Sequence, residues 1–283
     1  MKSAFISSRG SSRRTLRMKI FDRGSGPPLI VIPGVQGRWE WMYPALEALS
    51  RRCRTISYTL CGDFGSGMRV DPELGFECYI RQLDEVVERT GMQRFALCGV
   101  SYGGWIALRY AARRPERVSA LILVSAPAPG WSPSARQRAH ISRPWLSAPA
   151  FVVAAPFRIW PEIRAALPSW VVRIRFALTH GFRVISAPMI PSLMAARVRQ
   201  QQEALDFCED CNGVRAPTLI ISGQDGLDSV VPVQVTQWYR SLIQGSRYEM
   251  MDGTGHIGSV TQPHRFADLV SRFIGAQAGA GGE

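Results

Sequence analysis

Lysine is almost missing from this chain. Only Lys2 and Lys19 occur in 283 residues, so the excess of positive charge rests on arginine. No apolar run approaches the length of a membrane span. The longest, Ala148 to Phe157, is cut by Pro149 and Pro156, which excludes an integral membrane segment. Near the start, Ala4-Phe5-Ile6 is far too short for the hydrophobic region of a secretory signal. Six cysteines over this length make no disulfide scaffold. Cys53, Cys61, Cys78 and Cys98 fall in or beside expected core elements, where a thiol packs as a small apolar group. Cys208-Glu209-Asp210-Cys211 has C-x-x-C spacing, but no second cysteine pair or nearby histidine completes a ligand set. No metal and no cofactor is therefore expected. No internal repeat is visible. These absences lead to the expectation of a soluble, cytoplasmic protein.

What is present has ordinary globular composition, 46% hydrophobic and 20% charged, and is long enough for one large α/β domain with an insertion. The net charge is +12. Such a balance raises nucleic acid and anionic membrane as partners. The arginines, however, are scattered through the chain without a basic stripe or a nucleic-acid motif. A nucleic-acid or membrane-surface binder is set aside as the main function, and weak attraction to acidic surfaces or anionic substrates is all that the charge implies.

Strand-like and helix-like segments alternate. Thr15 to Phe21 reads as an edge strand. Leu29 to Ile32 is a continuous apolar run ending at Pro33-Gly34, as a central parallel strand does. Arg54 to Leu60, Arg94 to Cys98, Ala120 to Val124, Pro217 to Ser222 and Tyr248 to Met251 are further strands. Tyr43 to Ser50, Cys78 to Thr90 and a last segment with Phe266, Leu269, Val270, Phe273 and Ile274 on one face are helices. This is the pattern of βαβ units around a parallel sheet. Residues 128–213 break it. They have no clean strand, carry Trp131, Trp145, Trp160 and Trp170, and hold more arginine than acid. A structureless loop of that length does not suit a compact domain, so a helical cap is expected there. The expected division is a poorly ordered start over 1–14, a core over 15–127 and 214–275, the cap over 128–213 and a flexible tail over 276–283.

Gly99-Val100-Ser101-Tyr102-Gly103 reads G-x-S-x-G between a buried strand and a helix. A serine on such a tight strand-to-helix turn is a nucleophile elbow, and glycines two before and two after it remove clashing side chains. An alcohol is a poor nucleophile at neutral pH, so it needs a base, and the base needs an orienting acid. Four histidines are available. His140 and His180 lie in the cap region, and His264 reads as solvent-facing on the last helix. His256 lies in the glycine-flanked loop Asp252 to Gly258 after the last strand, at the carboxyl end where parallel sheets place chemistry. It is the expected base. The acid should follow the preceding strand, where Asp225 and Asp228 stand. Asp228, just before Val230-Val231-Pro232, is preferred; Asp225, before Gly226, looks like a turn former.

With Ser101, Asp228 and His256 in that order, and G-x-S-x-G-G around the serine, the chain resembles the α/β-hydrolase superfamily from about residue 15 to 275. The resemblance implies a mostly parallel eight-stranded sheet, a helical cap over the active site and an acyl-enzyme route for ester-like substrates. It also implies an oxyanion hole made by the amides of Val35 and Tyr102. Members of the family usually carry His-Gly after the strand ending here at Ile32, where this chain has Pro33-Gly34. Gln36 is a further side-chain donor in that loop. The loop from Cys61 to Gly67 matches the family only loosely. Cap residues Phe151, Phe157, Phe176, Met189 and Met194 and the tryptophans are expected to turn inward, packing the cap on the sheet or lining an apolar pocket. Trp39 and Trp41 wall that pocket or pack beneath the loop.

The expected function is a serine carboxylesterase acting on a small molecule with an apolar acyl or aromatic part. The same three residues also suit C–C hydrolysis, acyl transfer or metal-free perhydrolysis. Halide release needs a carboxylate in place of Ser101 and is set aside. Of another class is a ligand-binding protein that keeps the fold without catalysis.

Overall fold

The computed structural model describes residues 18–202 and 206–280. Seven strands form one sheet in the order β1-β3-β2-β4-β5-β6-β7: β1 Ile20–Arg23, β2 Pro28–Ile32, β3 Arg54–Tyr58, β4 Phe95–Val100, β5 Val118–Val124, β6 Thr218–Gly223 and β7 Arg247–Met251. Only β1 is antiparallel, with Ile20 opposite Tyr58. The remaining pairs are parallel, from Ile30 beside Leu97 in the centre to Ile220 beside Tyr248 at the far side. The eight strands implied by resemblance are thus corrected to seven among the described residues. One strand alone precedes β2 among the described residues, and Gly24 and Gly26, both at positive φ, make the turn between the two. The part of the edge-strand expectation that falls on 15–17, and the disorder expected over 1–14, lie outside the described residues.

Every residue of β4 is buried, which explains why its sequence is a continuous apolar run rather than an alternation. Helices cover both faces. On one side lie α1 Tyr43–Leu49 and the C-terminal α12 Pro263–Ala280, packing Leu46, Leu49, Phe266 and Val270 on the sheet. On the other lie α2 Glu77–Thr90 and α3 Gly103–Arg113. Helix α2 ends where Gly91 takes φ 67°, a left-handed stop that suits glycine. Helix α12 runs to Ala280, into the segment expected to be a loose tail. Residues 281–283 lie outside the described residues.

Between β5 and β6 stand five helices: α4 Ala135–Ser142, α5 Pro144–Ala166, α6 Trp170–Ser186, α7 Pro191–Gln202 and α8 Phe207–Gly213. The first four form an insertion above the carboxyl ends of the strands. Helix α8 packs on α3 instead, with Phe207 against Trp105 at 4.2 Å between ring centroids. Short helices α9 Val233–Gln237, α10 Tyr239–Leu242 and α11 Gly258–Thr261 complete the chain. No helix among the described residues is long and apolar enough to cross a membrane.

Helix α8 is fixed to α3 by a buried ion pair, Arg109 Nε donating to Asp210 Oδ2 at 2.8 Å, with Glu77 at 3.5 Å from the same guanidinium. Removing one member strands a charge in the interior, which costs about 3–5 kcal/mol. Asp210→Ala should therefore lower the unfolding free energy by about 3 kcal/mol in urea titration, while Arg109→Met with Asp210→Leu should recover most of that loss.

Candidate active site

Ser101 follows β4 directly and takes φ 53°, one of two positive-φ residues other than glycine among those described. Its amide donates to Val124 O at 2.8 Å and its carbonyl accepts from Gly104 at 2.8 Å, so the turn is tied both to β5 and to the first turn of α3. A side chain at Gly99 would strike the carbonyl of Gly103, and one at Gly103 would lie 2.5 Å from Ile32 O. Both flanking glycines are therefore demanded by close backbone approach. Strain of this kind costs of order 1–3 kcal/mol and persists only where the surroundings over-determine it.

Three of the residues singled out in the sequence meet here. His256 Nε2 lies 3.1 Å from Ser101 Oγ, and His256 Nδ1 lies 3.0 Å from Asp228 Oδ2. A carboxylate only accepts, so Nδ1 carries the proton and the Nε2 lone pair faces the serine hydroxyl. Asp228 Oδ1 is held by the amides of Val230 and Val231, both at 2.9 Å, which fixes the carboxylate plane. The acid and imidazole loops are tied to each other: Gln224 N donates to Thr254 O at 2.8 Å, and Gly253 N donates to the Gln224 side chain at 2.9 Å. Asp225 points elsewhere. It is exposed, and its Oδ1 caps its own turn by accepting from Gly226.

Ser101 also faces the loop after β2. A side chain at Gly34 would touch the Ser101 Cβ at 3.4 Å, so the backbone passes directly beside the hydroxyl. Among the described residues neither the Val35 nor the Tyr102 amide has a hydrogen-bond acceptor. Two unused donors beside a serine, one of them at the start of α3, suit a developing negative charge. Trp39 packs on Phe21 at 5.5 Å, and Trp41 donates to Ala187 O at 2.9 Å, tying this loop to the insertion.

Two residues of the insertion reach the site that the sequence did not suggest. Glu162 on α5 is 2% exposed and accepts the Ile257 amide at 3.1 and 3.2 Å, gripping the residue after His256. Burial pushes its carboxyl up to about 7, against the lowering pull of the Gly255 and Ile257 amides and of His256. One signal was available: Glu162 is the only acid between Glu116 and Glu203. Arg197 on α7 is 1% exposed, pairs with Asp63, and donates to Val35 O at 2.9 Å and Cys61 O at 3.1 Å. It is the anchor of the loop bearing the Val35 amide, and nothing marked it among so many arginines.

The aromatic residues of the insertion depart from expectation. Trp145, Phe157 and Trp170 face solvent, while Trp131 packs against the core and Phe176 stacks on His180. The side chain of Phe151 lies outside those described. Helix α5 runs unbroken through Pro149, Pro156 and Pro161, and a helix apolar on several sides cannot turn all of them inward; its buried positions include Glu162 and Ile163.

Comparison with known proteins gives a consistent assignment. A model of the alpha/beta hydrolase family matches residues 29–269. A Klebsiella pneumoniae protein named as a carbamate hydrolase, RutD, is 30% identical over 264 residues, 89% of this chain and 92% of its own. The 2-hydroxy-6-oxo-2,4-heptadienoate hydrolase of Pseudomonas putida is 26% identical over 93% of this chain and 94% of its own. Among solved structures, a thermophilic esterase from Thermogutta terrifontis superposes with a TM-score of 0.71 at 23% identity, covering 92% of this chain and 93% of that one.

Burial disfavours a charged imidazole at His256, but the Asp228 carboxylate, through its charge and its hydrogen bond, and the charge of Glu162 outweigh that and hold the ring's pKa above the usual 6.5. In NMR titration of a histidine-labelled sample, His256 should titrate above pH 6.5 in the wild type. Asp228→Asn should move the midpoint below the wild-type value, because burial remains while the main raising partner is gone, and Glu162→Gln should move it down by less.

Proposed function

This chain belongs to the alpha/beta hydrolase family, and from that premise we propose that it is a serine hydrolase cleaving a carboxylic ester or a related carbonyl substrate through an acyl-enzyme. The observation that carries the proposal is the unbroken chain from Asp228 Oδ2 to His256 to Ser101 Oγ, with links of 3.0 and 3.1 Å. Ser101 Oγ attacks the carbonyl carbon while His256 Nε2 takes its proton. Asp228 keeps the proton on Nδ1 and stabilises the imidazolium. The oxyanion is received by the free amides of Val35 and Tyr102, each such donor being worth about 3 kcal/mol of barrier. His256 returns the proton to the leaving group, and water enters by the same route in reverse. The insertion α4–α7 serves as a cap, with the substrate between it and the strand ends.

A second reading uses the same residues on a ketone. It draws support from the Pseudomonas relative, which is named for a hydroxy-oxo-dienoate rather than an ester. Substrate choice separates the two: a matched ester and diketone compared at one pH give opposite preferences.

A fluorophosphonate should add once to the wild type, at Ser101, in intact-mass measurement, and Ser101→Ala should lose both the adduct and at least ~10³-fold in turnover of chromogenic esters. Asp228→Asn should cost on the order of 10⁴ in kcat, whereas Asp225→Asn should leave kcat unchanged. Full turnover by Ser101→Ala would reject the scheme.

A further inference from the structure

Large apolar side chains on the surface are concentrated in one place. Among the described residues fifteen are exposed, and twelve of them belong to α5 and α6. Their spacing is that of a helix face. On α5, Leu146, Val153 and Phe157 recur at intervals of seven and four. On α6, Val171, Ile174, Leu178, Phe182 and Ile185 recur at intervals of three and four. Each helix therefore carries an exposed apolar stripe, and the ring of Trp160 on α5 lies 5.9 Å from that of Trp170 on α6. Phe157, Ile185 and Leu146 are 78%, 79% and 75% exposed. Scattered apolar residues on a surface need no account, but two stripes on adjoining helices do.

The charge around them selects an occupant. From Arg143 to Ser186 the chain holds six arginines and a single acid, Glu162 of α5, and that acid is buried. Arg143, Arg164 and Arg175 are exposed, and none of the three is in a salt bridge among the described residues. Six of the arginines that look scattered along the sequence thus lie on, or at the cap of, the two helices that hold most of the exposed large apolar side chains among the described residues, with no exposed acid in the segment. A second copy of this chain would bring its own cations against these, and like charges repel across a closely packed apolar contact. An anionic bilayer surface offers both complements: negative headgroups for the guanidinium groups and a hydrocarbon boundary for the stripes. Neither helix suits a span, so the geometry is that of helices lying in the interface.

We propose that the outer faces of α5 and α6 dock this protein on an anionic lipid surface, with the apolar stripes entering the headgroup–acyl boundary and the flanking arginines pairing with lipid phosphates. This goes beyond the hydrolase reading and does not depend on it, because binding is measured without turnover.

The test is co-sedimentation of the full chain with vesicles of equal parts phosphatidylglycerol and phosphatidylcholine, beside vesicles of phosphatidylcholine alone. The wild type should sediment with the anionic vesicles at low salt, much less with the neutral ones, and release as salt rises. Phe157→Asp with Ile185→Asp should weaken binding at least about tenfold. Both side chains face solvent, so the melting temperature should not change. Arg143→Gln with Arg164→Gln and Arg175→Gln should abolish the preference for anionic vesicles while keeping the fold. Failure of the wild type to sediment with anionic vesicles at low salt overturns the proposal. So does a dimer in size-exclusion chromatography that the two aspartate substitutions break, since the stripes would then be covered by a second copy.

Discussion

The site rests on the turn at Ser101. A φ of 53° is unfavourable for any side-chain-bearing residue, and the fold keeps it by removing every alternative. The Ser101 amide is committed to β5, its carbonyl to α3, and both flanking glycines lie against backbone. Relaxing the serine would break these bonds together. Because β4 is buried along its whole length and paired on both sides, the strain is carried by the most rigid part of the sheet. The rest of the site consists of loops brought to that fixed point: Gly34–Val35 from β2, Asp228 after β6 and His256 after β7. Each leaves the carboxyl end of a parallel strand, which is why parts so distant in sequence arrive within hydrogen-bonding distance.

Those loops are not held by the sheet alone. The insertion reaches down with one acid and one arginine. Glu162 grips the residue after His256, and Arg197 grips the carbonyl of Val35 and the loop at Cys61. Both are nearly inaccessible to water. A charge buried in this way is costly unless its partners are well placed, and removing one partner of such a pair costs about 3–5 kcal/mol. The contacts therefore resist displacement. Movement of the insertion as a rigid lid would have to strip the Ile257 amide and the Val35 carbonyl of their partners at once. The arrangement instead makes the insertion part of the framework that sets the imidazole and the loop carrying the Val35 amide. Glu162, with its pKa near neutrality, is the weaker of the two anchors, since a neutral carboxyl accepts an amide less strongly than a carboxylate.

Legibility in the sequence followed the range of the forces involved. The strands were readable because a parallel sheet covered on both faces needs unbroken apolar runs, and Leu29–Ile32 and Leu121–Val124 have no other use. Ser101 was readable because the turn dictates the glycines around it. Asp228 could be told from Asp225 because a residue beside Gly226 serves its own turn, as Asp225 does. The described residues form seven strands, as many as the apolar runs counted in the sequence and one fewer than the resemblance implied. Arg197 was hidden because its partners, Val35 O, Cys61 O and Asp63, are more than a hundred residues away in sequence. The direction of the aromatic residues was also hidden. Composition shows that tryptophan and phenylalanine are in the insertion, but only packing decides whether they meet the sheet or the solvent.

That last difference has a physical basis. The insertion has two sides with opposite demands. The inner side must supply polar anchors to the loops beneath it, and Glu162, Arg197 and the contact of Trp41 with the Ala187 carbonyl occupy that space. Apolar residues displaced from there have only the outer side left. A helix whose role ended with these anchors would carry polar residues outward, as α2 does with Arg81, Glu85 and Glu88. Helices α5 and α6 carry Leu146, Phe157, Leu178, Phe182 and Ile185 instead. Apolar area left in water is not selected by folding, which gains nothing from it. Its periodic placement on both helices is therefore the mark of a contact that folding of the single chain does not complete, and the guanidinium groups beside it set the sign of charge that contact must bear.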